Sequence, residues 1–263
     1  MTKRRVLRVV GPLATVAVFV GLWYFMSEVG LPKEKRFLLP PPHRAISESL
    51  FDRRVATPIL EALWRSTQVA LVGLAIAMVL GVALAVLMSR ADWIEWSVWP
   101  LAVGLQCIPI LALTPLIGGL LGFSFKARLV VTVMISLFPI MANTLHGLLS
   151  LDRSQYDLFA IGKASKRQQL WKLQLPAALP SMLAGFRIAA GLAVVGAVVG
   201  DTFFRQGKPG IGALIDVYRT RLQGPEMIGA IVLAAMLGFA VFALFGVLSR
   251  VLIGRWYQPE RIR

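Results

Sequence analysis

Hydrophobic residues occur in long runs along the chain, and charged residues cluster between those runs. A stretch of about 18 or more apolar residues can cross the hydrocarbon core of a bilayer as a helix. Five runs reach this length without a charge in their interior, and a sixth carries only Arg187 and Asp201 toward its two ends. The pattern predicts six transmembrane spans, at about 9–28, 66–89, 97–124, 129–150, 181–204 and 227–250.

The spans are predicted to be helices rather than strands of a barrel. The runs lack the alternation of apolar and polar residues that lipid-facing β-strands show. Backbone groups in lipid must be hydrogen-bonded internally, which leaves helices as the remaining structure. We therefore expect an all-α integral membrane protein in which residues 1–263 form a single transmembrane domain.

Composition agrees with a membrane protein. Hydrophobic residues make up 57% and charged residues 16% of the chain, whereas soluble proteins are about 25% charged. The net charge of +15 is spread over both sides of the predicted spans. We expect this charge to contact membrane lipid head groups and expect no nucleic-acid partner.

The basic start followed by a long apolar run is interpreted as an uncleaved anchor. The lone Cys107 excludes an intrachain disulfide.

The spans also predict a topology. Four of them precede the hydrophilic stretch 151–180, so this stretch shares one side of the membrane with both termini. Of the 28 Lys and Arg residues, 15 fall on that side, so the positive-inside rule favours cytoplasmic termini. On the other side, Leu39–Arg54 is predicted to be a proline-bent entry and a short amphipathic helix, with Ile46, Leu50 and Phe51 on one face.

The stretch 151–180 predicts a helical hairpin. The capping-box spacing, which satisfies free N–H groups at a helix start, occurs at Ser154 with Asp157 and at Ser165 with Gln168. Pro176 disfavours the helical conformation at Leu175 and so predicts the end of the second helix. The expected helices are 155–163 and 166–174, joined by a turn near 162–164. Apolar residues on both helices indicate a partner surface or the membrane interface.

The run ASKRQQLWKLQLPAALPSML resembles the cytoplasmic loop of binding-protein-dependent ABC importer permeases. That family's motif opens with Glu-Ala-Ala, has Gly four residues after the second Ala, and ends in Leu-Pro. The downstream positions match at Ala164, Ser165, Leu175, Pro176 and Pro180. The start departs from the motif, because Asp157, Leu158 and Phe159 stand at the Glu-Ala-Ala positions and Lys163 stands at the Gly position. Lys adopts a positive φ less readily than Gly.

Other segments resemble the nitrate, sulfonate and taurine branch of the same family, in the same order. They are FLLPPPHRAISESL, IPILALTPL, SLFPIMANTLHGL and GDTFFRQGKPGIGALI. The resemblance implies a type I ABC importer permease fold and a homodimer, with two ABC ATPase subunits inside and a substrate-binding protein or lipoprotein outside. It also implies that the hairpin inserts into a cleft of the ATPase. The implied coupling residues are Asp157, Phe159, Ile161, Gly162, Lys163, Ala164, Ser165, Lys166 and Arg167.

Catalytic motifs are missing from the sequence. It contains no G-x-x-x-x-G-K-[ST] loop to hold ATP phosphates, and no H-E-x-x-H or G-x-S-x-G motif. We therefore expect a transport subunit that binds no cofactor itself, with ATP and Mg on the partner ATPase. An integral membrane enzyme is a rival class, but the sequence offers no paired carboxylates, metal spacing or nucleophile motif for one.

The transport path is predicted from polar residues at membrane depth. Pro100, Pro109 and Pro115 interrupt the third run, which predicts a bent span whose free backbone groups line a cavity. The candidate path residues are Gln106, Pro109, Asn143, His146 and Asp201. For Asn143 and His146 a hydrogen bond between helices is the alternative. Two small-residue spacings, Gly118 with Gly122 and Gly196 with Gly200, suggest close helix contacts.

The resemblance implies a small solute delivered by an external binding protein. Nitrate, sulfonates, taurine and bicarbonate are candidate anions, and vitamin precursors are carried by the same branch. The alternative is a secondary transporter driven by an ion gradient, which would need inverted repeats or an acidic relay within the membrane. The sequence shows no such repeat, and Asp201 is the only candidate relay residue.

Overall fold

The computed structural model describes residues 3–254, with side chains from Val10 onward, and this part of the chain is helical without strands. The helices are α1 Lys3–Phe25, α2 Pro42–Ile46, α3 Arg53–Met88, α4 Asp92–Cys107, α5 Thr114–Leu121, α6 Phe125–Leu149, α7 Arg153–Ile161, α8 Lys166–Gln169, α9 Leu175–Phe203, α10 Ile211–Thr220 and α11 Gly224–Ile253. Three π-helical turns, Met26–Gly30, Ser47–Phe51 and Leu170–Gln174, follow α1, α2 and α8.

Six spans are present when a bent pair counts as one. Helices α1, α3, α6, α9 and α11 belong to segments long and apolar enough to cross a membrane. The third span consists of α4 and the segment Ile110–Leu121, whose axes differ by 89°. The predicted bend in this span is confirmed. Helix α3 begins at Arg53 rather than near residue 66, and its 36 residues span about 54 Å, so its first turns extend beyond a 30 Å hydrocarbon core.

Helices α3, α6 and α9 form the centre of the bundle. An added Cβ on Gly196 or Gly200 would lie 2.8 Å from the Cα of Thr132 and 3.2 Å from that of Arg128, respectively. Glycine therefore permits the close approach of α9 to α6, as its spacing suggested. The other spacing does not join two helices, because Gly118 lies against the ring of the nearby Phe123.

The bundle has two ends, which we name by their loops. The hairpin end carries α7 and α8, between α6 and α9. The opposite end carries α2, the α9–α10 loop and α10. Helix α3 runs parallel to α6, since Gly73 contacts Thr132 and Gly81 contacts Ile140, and α9 runs antiparallel to both.

The predicted amphipathic helix in Leu39–Arg54 consists of α2 and the following π turn. Its buried residues are Pro42, Ala45 and Ser49, and Ser49 contacts Gly229 of α11. The apolar face that the sequence indicated is turned outward: Ile46, Leu50 and Phe51 are all exposed. Small residues pack against α11 because they allow a closer approach, and the larger ones remain available to the membrane interface.

Helix α1 is attached to the rest of the molecule only near its carboxyl end, as far as its described side chains show. Trp23 Nε1 donates a hydrogen bond to the carbonyl of Pro40 at 3.0 Å, and Tyr24 Oη lies 2.9 Å from His43 Nδ1. Nearly all other described side chains of α1 are exposed. This apolar helix therefore presents most of its surface to lipid or to another membrane helix.

Candidate functional site

Helices α7 and α8 form the predicted hairpin: α7 begins and ends two residues earlier than predicted, and α8 begins at Lys166 as predicted and continues through the π turn Leu170–Gln174. The capping box at Ser165 is confirmed: Gln168 N donates to Ser165 Oγ at 3.3 Å, and Ser165 N donates to Gln168 Oε1 at 2.8 Å. The box at Ser154 was wrong. Helix α7 begins at Arg153, so Ser154 lies inside its first turn, and the N-cap Asp152 makes no side-chain hydrogen bond.

The turn between the two helices has the hydrogen bonds of a Schellman motif. Ala164 N donates to the carbonyl of Phe159 at 3.0 Å, and Lys163 N donates to the carbonyl of Ala160 at 2.9 Å. Lys163 occupies the position that usually holds glycine and has φ +48°. Gly162, one residue earlier, has φ −74°. The position with the left-handed conformation is therefore Lys163, where the family motif has glycine, and Gly162 does not adopt that conformation.

Helix α8 runs into α9 without a break, so the predicted end at Pro176 was wrong. Leu175 has helical angles, φ −64° and ψ −44°, and its N–H donates to the carbonyl of Leu170 five residues earlier. This π turn lets the chain reach Pro176 in a helical path. Pro176 is the second residue of α9, and the wider π turn before it accommodates a residue that has no N–H to donate. The second arm of the hairpin is thus rigidly continuous with a central helix.

Two contacts anchor the hairpin to the bundle. Leu170 is buried in an apolar cluster with Met88, Leu145 and Ala178 from three long helices. Gln174 Nε2 donates to Tyr156 Oη at 3.0 Å, which links the π turn to α7. The base of the hairpin is therefore held by the bundle, while its tip extends away from it.

The hairpin exposes apolar side chains. Ile161 is 82%, Leu158 68% and Trp171 63% exposed, and Phe159 is half-buried. Of these, Leu158 and Trp171 were absent from the predicted coupling residues, although apolar residues in a hydrophilic segment were the signal that marked them. Exposed apolar groups of this size indicate an interaction surface.

Charged side chains surround these apolar residues. Asp157, Lys163, Lys166 and Arg167 are exposed, and within residues 3–254 none of them makes an ion pair. Of the nine predicted coupling residues, Phe159 and Ala164 are half-buried and the other seven are exposed. We call the exposed side chains Asp157, Leu158, Ile161, Lys163, Lys166 and Arg167 the hairpin tip, and Trp171 is exposed at the base of the hairpin.

A buried ion pair lies at the opposite end of the bundle. Arg128 Nη1 is 3.2 Å from Asp201 Oδ1, and the two side chains are 4% and 0% exposed. Arg128 also donates to the carbonyls of Phe204 at 2.7 Å, Gln206 at 3.1 Å and Lys208 at 3.3 Å. The guanidinium therefore fixes the α9–α10 loop to α6.

The partners of Asp201 come from other helices. Ser66 of α3 hydrogen-bonds the Asp201 carboxylate and accepts from the backbone N–H of Ile211 at 2.8 Å. Gly210 lies so close to the carboxylate that a Cβ there would clash with it. Arg128 was absent from the predicted site residues, because it precedes the predicted fourth span by one residue and has the position of an ordinary interfacial charge.

The predicted path residues are not gathered in one place. Gln106 and Pro109 are exposed at the bend of the third span, and His146 is exposed near the hairpin end. Asn143 is half-buried and donates to the carbonyl of Pro139 on its own helix at 2.8 Å, so it does not form the suggested hydrogen bond between helices. Asp201 is fully buried in its ion pair. Within a single chain these side chains do not line a common channel.

This fold, with its exposed helical hairpin between two central spans, defines a permease of the type I ABC importer class. Residues 77–259 match the family described as "binding-protein-dependent transport system inner membrane component", and the chain belongs to this family.

Relatives with named functions resemble the chain over most of its length. It is 35% identical to the formylaminopyrimidine transport permease protein of Halalkalibacterium halodurans over 82% of this chain and 85% of the relative. It is 29% identical to the putative aliphatic sulfonates transport permease protein of Escherichia coli over 99% and 97%. Identity with the bicarbonate transport system permease protein of Synechococcus elongatus is 26% over 86% and 83%.

Proposed function

We propose that this multi-pass inner membrane permease is driven by a separate ABC ATPase, which receives the hairpin tip in a cleft. The observation that carries the proposal is the exposed apolar tip on a hairpin whose second arm continues into α9. Ile161 and Leu158 would fill an apolar floor of the cleft. Lys163, Lys166 and Arg167 would pair with acidic groups at its rim, where charges govern orientation and rate more than affinity.

The assembly that follows has two permease copies, two ATPase subunits and an external binding protein or lipoprotein. The hairpin and both termini would lie in the cytoplasm, and the opposite end would receive the binding protein. ATP and Mg would be held by the ATPase subunits, because this sequence contains no phosphate-binding loop. The exposed apolar faces of α1 and of the bent third span are available for the second copy and for lipid.

The path of mechanical coupling runs through α9. A displacement of the hairpin tip reaches α9 through the π turn at Leu170–Gln174, with no flexible loop between them. At its other end α9 carries Asp201, which with Arg128 and Ser66 holds the α9–α10 loop. Movement caused by ATP binding would thus shift both ends of the path together, as switching between inward-open and outward-open states requires.

The solute is proposed to be small and delivered by the binding protein. The relatives' names refer to formylaminopyrimidine, aliphatic sulfonates and bicarbonate, so anions and vitamin precursors are both candidates. Gln106, Pro109, Asn143 and His146 are proposed to face the path in the assembled dimer. Asp201 would act on the path indirectly, because it is buried in the ion pair. The same pairing disfavours it as the ion relay of a secondary transporter.

Purification from the native membrane tests the proposal. The tagged chain should bring with it an ABC ATPase in equal amount, and ATP hydrolysis by the purified complex should respond to the loaded binding protein. A chain that purifies without any nucleotide-binding subunit, yet transports solute in vesicles under an ion gradient alone, would contradict it.

A further inference from the structure

A cavity of about 580 Å³ opens at the opposite end of the bundle. Its walls are the first half of α3, the start of α6 and the α9–α10 loop, represented by Arg65, Arg128 and Lys208. A volume of this size is typical of sites for small ligands. The loop that forms one wall is fixed by the hydrogen bonds of Arg128, so the cavity is largely pre-formed.

The charges around the cavity leave one cation without a counter-ion. Arg65 pairs with Glu61 at 2.8 Å, and Arg128 pairs with Asp201 at 3.2 Å. Lys208 is exposed and, among the described residues, makes no side-chain hydrogen bond or ion pair. The cavity therefore has a surplus of about one positive charge.

Hydrogen-bond donors without acceptors line the same space. The side-chain amides of Gln68 and Gln206 are exposed and have no hydrogen-bond partner in residues 3–254. Arg65 uses its guanidinium on Glu61 and on the carbonyl of Pro209, which leaves several of its five N–H groups free. These donors, with Lys208, match an acceptor that carries several oxygens and a single negative charge.

We propose that this cavity binds a singly charged oxyanion, such as a carboxylate or sulfonate, with Trp64 contacting the apolar part of the same molecule. Two sources carry such a group: a soluble anion passing from the binding protein into the path, and the head group of an anionic lipid. The first source rests on the proposed function, because it needs this end of the bundle to receive the solute. The second does not.

Protection of an introduced cysteine tests the site in the purified full chain. Cys107→Ala removes the native thiol, and Phe125→Cys places a reporter in the cavity wall while keeping every polar group of the site. The chain is placed in nanodiscs of phosphatidylcholine, and labelling by the uncharged reagent methyl methanethiosulfonate is timed. Sodium benzenesulfonate should slow labelling, whereas benzenesulfonamide and sodium chloride at the same concentrations should not.

Two lysine variants separate the site from general surface charge. Lys208→Gln should weaken protection by benzenesulfonate about tenfold, as expected for loss of a charged hydrogen bond. Lys126→Gln is the matched control, because Lys126 is also exposed near this end without an ion-pair partner but does not line the cavity. Equal protection by the anion and the amide, or equal effects of the two variants, would overturn the proposal.

Phosphatidylglycerol nanodiscs distinguish the two sources. If the head group occupies the cavity, labelling is already slow in that lipid, depends on Lys208, and changes little with benzenesulfonate. If a soluble anion is the ligand, the rate without anion is the same in both lipids. Fast labelling that no anion slows in either lipid overturns the site. The ATPase takes no part in this measurement, so a negative result leaves the proposed function to be judged by co-purification.

Discussion

At the scale of single residues, the ion pair of Arg128 and Asp201 joins α6 to α9. Hydrogen bonds to the same two side chains add α3, through Ser66, and the α9–α10 loop. Both charges are removed from water, so the pair depends on good geometry and on the extra hydrogen bonds from Ser66 and to three carbonyls. Removal of one partner would leave the other charge buried and unpaired. Position 210 also requires glycine, because a Cβ there would clash with the Asp201 carboxylate.

Asp201→Asn should destabilise the protein by about 3–5 kcal/mol, the usual cost of breaking a buried pair. The neutral amide can still bond Ser66 but cannot balance the Arg128 charge. The melting temperature of the detergent-solubilised protein measures the loss.

Asp216→Asn is the control for that change. Asp216 pairs with Arg205 and Arg219, which are more than half exposed, and hydrogen bonds from these two arginines lower its pKa. Surface pairs contribute only about 0–1 kcal/mol, so this variant should melt close to the wild type. Equal melting temperatures for Asp201→Asn and Asp216→Asn would contradict the role of the buried pair.

Lys163→Gly should stabilise the hairpin turn. A non-glycine residue in the left-handed region costs about 1–2 kcal/mol, and the substitution removes this strain. The greater freedom of glycine in the unfolded chain offsets about 0.5–1 kcal/mol of the stabilisation. Hydrogen exchange of the peptide that contains the Ala164 amide should therefore slow in Lys163→Gly. Gly162→Ala should change it little, because Gly162 has ordinary backbone angles and an added Cβ would lie at van der Waals distance from its neighbours, 3.6 Å from the carbonyl oxygen of Phe159. Faster exchange in Lys163→Gly would refute the assignment of strain to this position.

At the scale of elements, the apolar runs predicted the six spans and the prolines predicted the bend of the third, since membrane insertion and proline geometry are local properties. Continuity between α8 and α9 was missed, because a π turn leaves no signature in residue type.

Of the buried ion pair, only one partner was predicted. Asp201 stands out inside an apolar run, but its partner Arg128 lies 73 positions away, and only the antiparallel packing of α6 and α9 brings them together.

Substitutions of the neighbours Leu170 and Trp171 test two roles separately: anchoring of the hairpin to the bundle and docking of the hairpin to the ATPase. Leu170→Ala leaves a cavity in the cluster beneath the hairpin and should cost about 2–5 kcal/mol, seen as a lower melting temperature. Trp171→Ala should leave the melting temperature nearly unchanged, because Trp171 is exposed, but should weaken ATPase association. The opposite pattern would place the docking surface elsewhere.

At the scale of the whole molecule, the two ends of the bundle have different chemistry. The hairpin end carries an exposed apolar tip among charges, and the opposite end carries the buried ion pair and the cation-lined cavity. Helix α9 extends from one to the other, so it is the element best placed to relate events at the two ends. Such a division suits a subunit that receives energy on one side and solute on the other.

Cysteine labelling tests this orientation. In a Cys107→Ala background, Ser47→Cys and Lys166→Cys should react with an impermeant reagent from opposite sides of sealed vesicles, because the two exposed residues lie at opposite ends of the bundle. Lys166 is chosen so that the helix cap at Ser165 stays intact. Labelling of both positions from one side would refute the topology.

The proposed coupling role of the hairpin is tested most directly by the amount of ATPase subunit that co-purifies with Ile161→Asp. Ile161 is 82% exposed, so the change leaves the fold intact but places an unpaired charge in the proposed apolar contact, which is costly. Gln155→Asp adds the same charge to an exposed position on another face of α7 and serves as the control. We expect Ile161→Asp to insert in the membrane normally and to lose the ATPase, while Gln155→Asp and the wild type retain it. Full retention of the ATPase by Ile161→Asp would contradict the account.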